Sequence, residues 1–355
     1  MPDARSEGTQ GFLTRRGFIG VLAASGAAAA LPGCARLASY VPRARGFWPA
    51  PGAVTPFITP NEDFYVVAID PAYRPPVDPG TVSSGWWLEL VGLGGDARRT
   101  GYGELDARAR RTVHYTFECI GNPVGGPLIG NAAWRVVPLR ELLAQAPGGL
   151  AGARSVTIEA MDGFYSSVSL QRATDDYAFL AIDMNGVPLP AEHGFPARVI
   201  LPDLYGKKQP RWLRRITLLE DEDTTSYWER RFWKGDVAPK TTSRLDPRGE
   251  VAARHPVELT GMAYAGARGI RAVEVSLDGG VHWVAGELVT GDTPHVWSLW
   301  RYVWPDPPAG VHTLVVRAID GTGETQTARS KGRFPSGATG YHRMRVTATA
   351  AADSP

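Results

Sequence analysis

Cysteine is almost absent from this 355-residue chain, which holds only Cys34 and Cys119. So few thiols exclude a disulfide scaffold, a zinc finger and iron–sulfur ligation, and without a C-x-x-C-H motif they exclude covalently attached haem. An excess of charge of one sign is lacking too. Lys and Arg number 38 against 36 Asp and Glu, a net charge of +2. Proteins that neutralise phosphates carry a concentrated basic excess, so nucleic acid is not an expected partner. There is no G-x-S-x-G, no Walker A loop, no H-E-x-x-H and no histidine pair at metal-ligand spacing on one element. A long apolar run is missing as well. The stretch ending near Leu31 holds about a dozen residues, against roughly 20 for a membrane span.

What is abundant is glycine and proline, 41 and 29, about one residue in five. With 43% hydrophobic residues the chain affords a native-sized core, and its length suits two or three domains dominated by strands and loops. Thr14-Arg15-Arg16-Gly17-Phe18-Ile19 before the short apolar run reads as a twin-arginine export signal, which predicts an exported protein of the periplasm or cell envelope. That route carries folded proteins, so a cofactor inserted before export is expected. Leu31-Pro32-Gly33-Cys34 stands where a lipoprotein signal ends, giving an anchor through Cys34; cleavage among Ala27 to Ala30 is the alternative.

Residues 86–91, 112–117, 156–160, 180–184, 199–201 and 216–219 have strand character, and Pro138 opens a short helix. Gly92-Leu93-Gly94-Gly95-Asp96-Ala97 matches a dinucleotide fingerprint, but Thr100, Gly101 and Gly103 forbid the helix it needs, so a tight turn is predicted. From Pro256 onward the pattern is strand and turn alone, about 100 residues that read as an immunoglobulin-like sandwich. In it Asp278-Gly279-Gly280 returns the chain into Val281-His282-Trp283.

Cys119 lies where a strand ends in the turn Gly121-Asn122-Pro123. It reads as a small buried hydrophobe, or as a metal thiolate, which needs no neighbouring base. His193 to Arg198 and Gly206 to Trp212 are basic loop segments, suited to a phosphate or pterin-like ligand or simply solvated.

Three segments in order carry a resemblance. Phe117-Glu118-Cys119-Ile120-Gly121-Asn122 with Trp134 resembles the cofactor-cysteine segment of the sulfite oxidase family of molybdopterin enzymes. Met184 to Arg198, then Lys208 to Trp212, is similar to that family's pterin-binding segment. Val273 to Gly280, with Trp283 and Trp297 to Trp300, is similar to its dimerisation domain. The likeness spans roughly residues 55–345 and implies an α+β protein. Residues 1–40 would be signal and linker, 41–250 a β-rich sulfite-oxidase-type molybdopterin domain, and 251–350 an immunoglobulin-like all-β sandwich for dimerisation.

The resemblance further implies one Mo-molybdopterin per chain and no haem, with Cys119 the metal ligand. Tyr65, His193, Arg198, Gln209, Pro210 and Arg211 would hold the pterin, Trp134 would wall the substrate pocket, and Trp233 would stand in place of a family tyrosine. The implied partners are a small-molecule substrate, a separate electron carrier (a cytochrome or a membrane quinone system) and a second copy in a homodimer. The family's substrate arginines are replaced by Val67-Ala68-Ile69 and Pro123-Val124. The expected substrate is therefore not simple sulfite but a neutral or larger compound such as an S- or N-oxide. The alternatives from other classes are a binding or adhesion protein that kept the fold without the metal, and a cysteine hydrolase.

Overall fold

The structure, a computed structural model, describes residues 45–350; the export signal and Cys34 lie outside the described residues. No helix among them is long and apolar enough to cross a membrane.

The first half of the described chain is built on ten strands. They are β1 (Trp87–Val91), β2 (Ala97–Gly101), β3 (Arg111–Glu118), β4 (Ile129–Pro138), β5 (Ser155–Ala160), β6 (Tyr165–Ser169), β7 (Phe179–Met184), β8 (Val187–Pro188), β9 (Arg198–Ile200) and β10 (Leu213–Leu219). One sheet has the order β2-β1-β10-β5-β6, its β1–β10 pair parallel. A second has the order β3-β4-β7-β8, with β9 also paired to β7. Apolar alternation on β1 buries Leu88 and Leu90, whereas all six residues of β7 are buried, as a strand covered on both faces requires. The four helices are short: α1 (Val82–Gly85), α2 (Tyr102–Arg108), α3 (Leu139–Leu143) and α4 (Leu170–Ala173). The glycine-rich stretch after β1 is a hairpin turn, closed by Gly92 N–H donating to Asp96 O with Gly95 at φ 85°.

The second half is two packed sheets. The strands are β11 (Thr242–Leu245), β12 (Glu250–Ala252), β13 (Val257–Tyr264), β14 (Ile270–Ser276), β15 (Val284–Ala285), β16 (Glu287–Val289), β17 (Ser298–Trp304), β18 (Gly310–Asp320) and β19 (His342–Thr349). The orders are β11-β13-β17-β16 and β12-β19-β18-β14-β15. Between them Trp300, Trp304, Val273, Val275, Leu314 and Val316 form the core. The sandwich takes in β11, upstream of the residue-251 start expected for it, because Thr242–Leu245 pairs antiparallel with Gly261–Tyr264. The segment Val281-His282-Trp283 is not a strand. The Asp278 carboxylate accepts the Val281 and His282 N–H groups and prolongs the turn, so pairing resumes only at Val284.

The halves meet on β3. Thr116 Oγ1 accepts the Trp297 N–H at 2.8 Å, Thr116 O accepts the Tyr264 hydroxyl at 3.1 Å, and Thr116 N–H donates to His295 O at 3.1 Å. A small apolar cluster of Ile129, Met262, Tyr264 and Trp297 seals this junction.

Candidate active site

The hairpin of β3 and β4 carries the thiol at its tip. Pairing ends at Glu118 opposite Ile129, and Cys119 N–H still donates to Leu128 O at 2.9 Å. The intervening turn is tied to itself: Asn122 N–H donates to Cys119 O, Asn122 Oδ1 accepts the Leu128 N–H, and Asn122 Nδ2 donates to Glu118 Oε1. Gly121 N–H lies 3.4 Å from Cys119 Sγ and donates to it. Burial pushes the Cys119 thiol up to about 11, against the pull of the Gly121 N–H and of Arg333 and Arg211. A thiol in that state is not a ready nucleophile at neutral pH, and a cation brought to the sulfur would be needed to draw off its proton. Among the described residues no three His, Cys, Asp or Glu side chains cluster as a metal site.

Facing this turn is a cradle of unneutralised positive charge. Gly194, at φ 119°, lets the chain after the 3₁₀ turn Ala191–His193 bring Arg198 and Arg211 together; a Cβ there would lie 3.1 and 3.0 Å from their Cβ atoms. Arg198 is buried, its Cζ 4.1 Å from the centre of the Phe117 ring and 5.0 Å from that of Trp134. It donates to His193 O, while its Nε has no partner. Arg211 donates to Glu192 O and Val67 O. Neither guanidinium is within 4.0 Å of a carboxylate among the described residues, and burial together with Arg211 pulls Arg198 down to about 9. A buried cation beside a half-buried one, neither paired to a carboxylate, suits an anionic ligand.

Tyr65 joins the same space. Its hydroxyl lies 2.5 Å from where a Cβ on Gly206 would stand, and its proton is held tightly by burial and by the nearby Cys119. His193 is buried with Nε2 at 2.7 Å from Asn61 O. A carbonyl only accepts, so Nε2 carries the hydrogen and Nδ1, otherwise unpartnered, is a bare acceptor. Burial, against the pull of the Asn61 carbonyl, holds the ring's pKa down to about 3, so His193 is neutral. It therefore suits a ligand N–H rather than a phosphate.

Three expected site residues are placed differently. Trp134 is fully buried rather than at an open wall; its indole N–H is spent on Tyr115 O at 3.1 Å and its ring packs 5.0 Å from the Arg198 Cζ. Gln209 is turned inward, accepting from Leu201 N–H and donating to Leu204 O, so its side chain is not free for a ligand. Pro210 is buried and accepts the Val199 N–H through its carbonyl. Trp233 is half-buried, edge-on to Phe334 with ring centres 5.2 Å apart.

The residue missed from sequence is Arg333. It approaches from the second half of the chain, its Cδ 4.0 Å from the Cβ position of Gly121, and it favours the Cys119 thiolate. A lone arginine in the exposed segment Lys331-Gly332-Arg333-Phe334 gives no local signal of this. Arg135 and Arg231 do not take its place. The first is paired with Asp183 and Asp106, and the second lies over the Tyr227 ring at 3.5 Å.

Comparison with known proteins finds matches along most of the described chain. The family model for the oxidoreductase molybdopterin binding domain matches residues 75–228, and that for the Mo-co oxidoreductase dimerisation domain matches residues 236–348. The mitochondrial sulfite oxidase of Homo sapiens is 32% identical over 314 residues, covering 74% of this chain and 56% of that protein. The sulfite oxidase of Gallus gallus is 31% identical over 320 residues, covering 76% of this chain and 68% of that one. The chain thus spans little more than half the length of the human relative. Among solved structures, the sulfane dehydrogenase SoxCD from Paracoccus pantotrophus superposes with a TM-score of 0.72 at 23% identity, covering 83% of this chain and 82% of that one.

Proposed function

The chain belongs to the sulfite oxidase family of molybdopterin-dependent oxidoreductases, and from this premise we propose that it is an exported enzyme of oxygen-atom transfer whose molybdenum is ligated by Cys119. The observation that carries the reading is the pairing of one partly buried thiol with two neighbouring arginines, buried Arg198 and half-buried Arg211, neither of them salt-bridged to a carboxylate among the described residues.

The residues present fit the cofactor. Arg198 offers a free Nε–H and Arg211 a second cation to a phosphate, and the bare Nδ1 of His193 accepts an N–H of a pterin. Tyr65 closes the space beside Cys119 as a neutral hydroxyl. The Gly121 N–H and Arg333 both favour a charged sulfur, which is the form that ligates a metal. When bound, the molybdenum–pterin group supplies two-electron redox chemistry, while the protein supplies position and electrostatics.

The substrate we assign is a compound less charged than sulfite, such as an S- or N-oxide, since Val67 and Val124 supply no cation. Electrons pass to a separate carrier, no haem being assigned to this chain, and the dimerisation-domain match supports pairing with a second copy. Arg15 and Arg16 support export after cofactor insertion. The test is metal and pterin analysis of protein purified from cells that make the cofactor. One molybdenum per chain is expected; protein free of molybdenum from such cells would leave the binding-protein reading instead.

A further inference from the structure

The turn that carries Cys119 is gripped by the second half of the chain at a point remote from the sulfur. Gly125 stands in the turn at φ 69°, and the imidazole of His342, the first residue of β19, occupies the space a side chain there would need. A Cβ on Gly125 would lie 2.6 Å from both Cγ and Nε2 of that ring. The ring is itself fixed, because His342 Nδ1 accepts the Leu245 N–H of β11 at 3.0 Å. The adjoining residue is held from the same side: the buried Arg244 donates through Nη1 to Gly126 O and through Nη2 to Thr55 Oγ1 at 2.8 Å. Within the turn, Gly126 N–H donates to Pro123 O, and the preceding Asn122 is bonded to Cys119 O and to the Leu128 N–H. The sandwich thus presses a rigid aromatic plate against a glycine while a guanidinium holds the next carbonyl.

We propose that His342 is a positioning residue that seats the 119–128 turn, fixing the direction in which Cys119 presents its sulfur and keeping the Gly121 N–H on it. This rests on the reading of Cys119 as the metal ligand. Contact between ring and glycine sets the turn, not charge on the ring, so the imidazole need only be flat, neutral and tied to Leu245 N–H. The turn in turn requires glycine at 125, since any other residue collides with the plate.

Visible absorption of the cofactor-loaded protein reads this directly, because sulfur-to-metal charge-transfer bands report the thiolate's orientation. In Gly125→Ala the collision should displace the turn, move that band and lower kcat about tenfold while KM stays within about twofold. Removing the plate in Gly125→Ala/His342→Ala should return the band and most of kcat, although Ala at positive φ keeps a residual defect. His342→Gln, which still accepts from Leu245 N–H, should resemble the native protein more closely than His342→Ala does. An unmoved band in Gly125→Ala, or a double variant no better than Gly125→Ala, overturns the proposal. Should Gly125→Ala fail to fold, the His342→Gln and His342→Ala pair decides alone, and equal spectra for the two overturn it. Cys119→Ser separates the premise: a band that survives it overturns the ligand reading, whereas its loss beside an unmoved band in Gly125→Ala overturns the clamp alone.

Discussion

Gly194 decides whether two arginines can share one small space. Its φ of 119° disfavours any side chain, and a Cβ would press on Arg198 and Arg211 at 3.1 and 3.0 Å. Gly194→Ala is expected to force the pair apart and weaken cofactor retention by at least about tenfold, with the fold kept, as pterin release on dialysis would measure. Cys119 makes a different demand. Its sulfur accepts one weak N–H bond, so serine fits the turn, but an alkoxide is far harder to form and binds a soft metal less well. Cys119→Ser should therefore lose turnover while remaining folded and pterin-bound; near-native turnover would remove the ligand role.

At the scale of elements, strand periodicity is legible in the sequence, and with it β1, β3, β5, β7 and β9 to within a residue, whereas β10 begins three residues before the expected 216. The site segments were legible as loops at strand ends. What sequence does not carry is the direction a side chain takes once its loop packs. Gln209, Pro210 and Lys208 sit beside Arg211 in one basic run, yet the Gly206–Lys208 3₁₀ turn faces the first three into the protein. Trp134 likewise looked like a pocket wall and is core, because β4 is covered on that face by Phe64 and Phe117. Lys208 is the extreme case. It is wholly buried, donates at 2.8 Å to Ser167 O, Thr224 O and Ser226 Oγ, and lies 3.0 Å from Asp236. It fastens the segment bearing Trp233 to the Gly206–Lys208 turn. Lys208→Met strands these acceptors and should cost about 3–5 kcal/mol in denaturant unfolding. A loss under about 1 kcal/mol would mean that the network is slack.

At the scale of the whole molecule, each half holds one buried histidine that titrates against folding. His193 and His342 are both neutral in the folded protein, held down to about 3 and about 4, while an unfolded histidine titrates near 6.5. Unfolding therefore takes up protons below pH 6.5. The stability these rings confer is complete above that value and is lost as pH falls toward 4, by about 2 kcal/mol for each ring at pH 5. His342→Gln should flatten the slope of Tm between pH 6.5 and 5 compared with the native chain. An identical slope would show that the ring is protonated without cost.

Sulfite is a small dianion and needs cations in a desolvated site. Val67 and Val124 provide none, Arg198 and Arg211 are the residues we propose for the cofactor, and Arg135 is tied to Asp183 and Asp106. Each missing charge-assisted hydrogen bond forfeits roughly 1.5–3 kcal/mol, so two lower efficiency by about two to four orders of magnitude. Arg333, arriving from the sandwich beside Gly121, restores one cation and narrows the deficit to about one to two orders. Steady-state kinetics with sulfite and a one-electron acceptor should give kcat/KM below about 10⁴ M⁻¹s⁻¹ for the fully metallated enzyme, and Arg333→Met should lower it by roughly a further tenfold or more. An efficiency above that value in the native chain would show that one guanidinium and the metal suffice to hold the anion. Loss of the sulfite reaction in Arg333→Met, with a neutral S-oxide still turned over, would place the selectivity of this enzyme in the domain that does not carry its thiol.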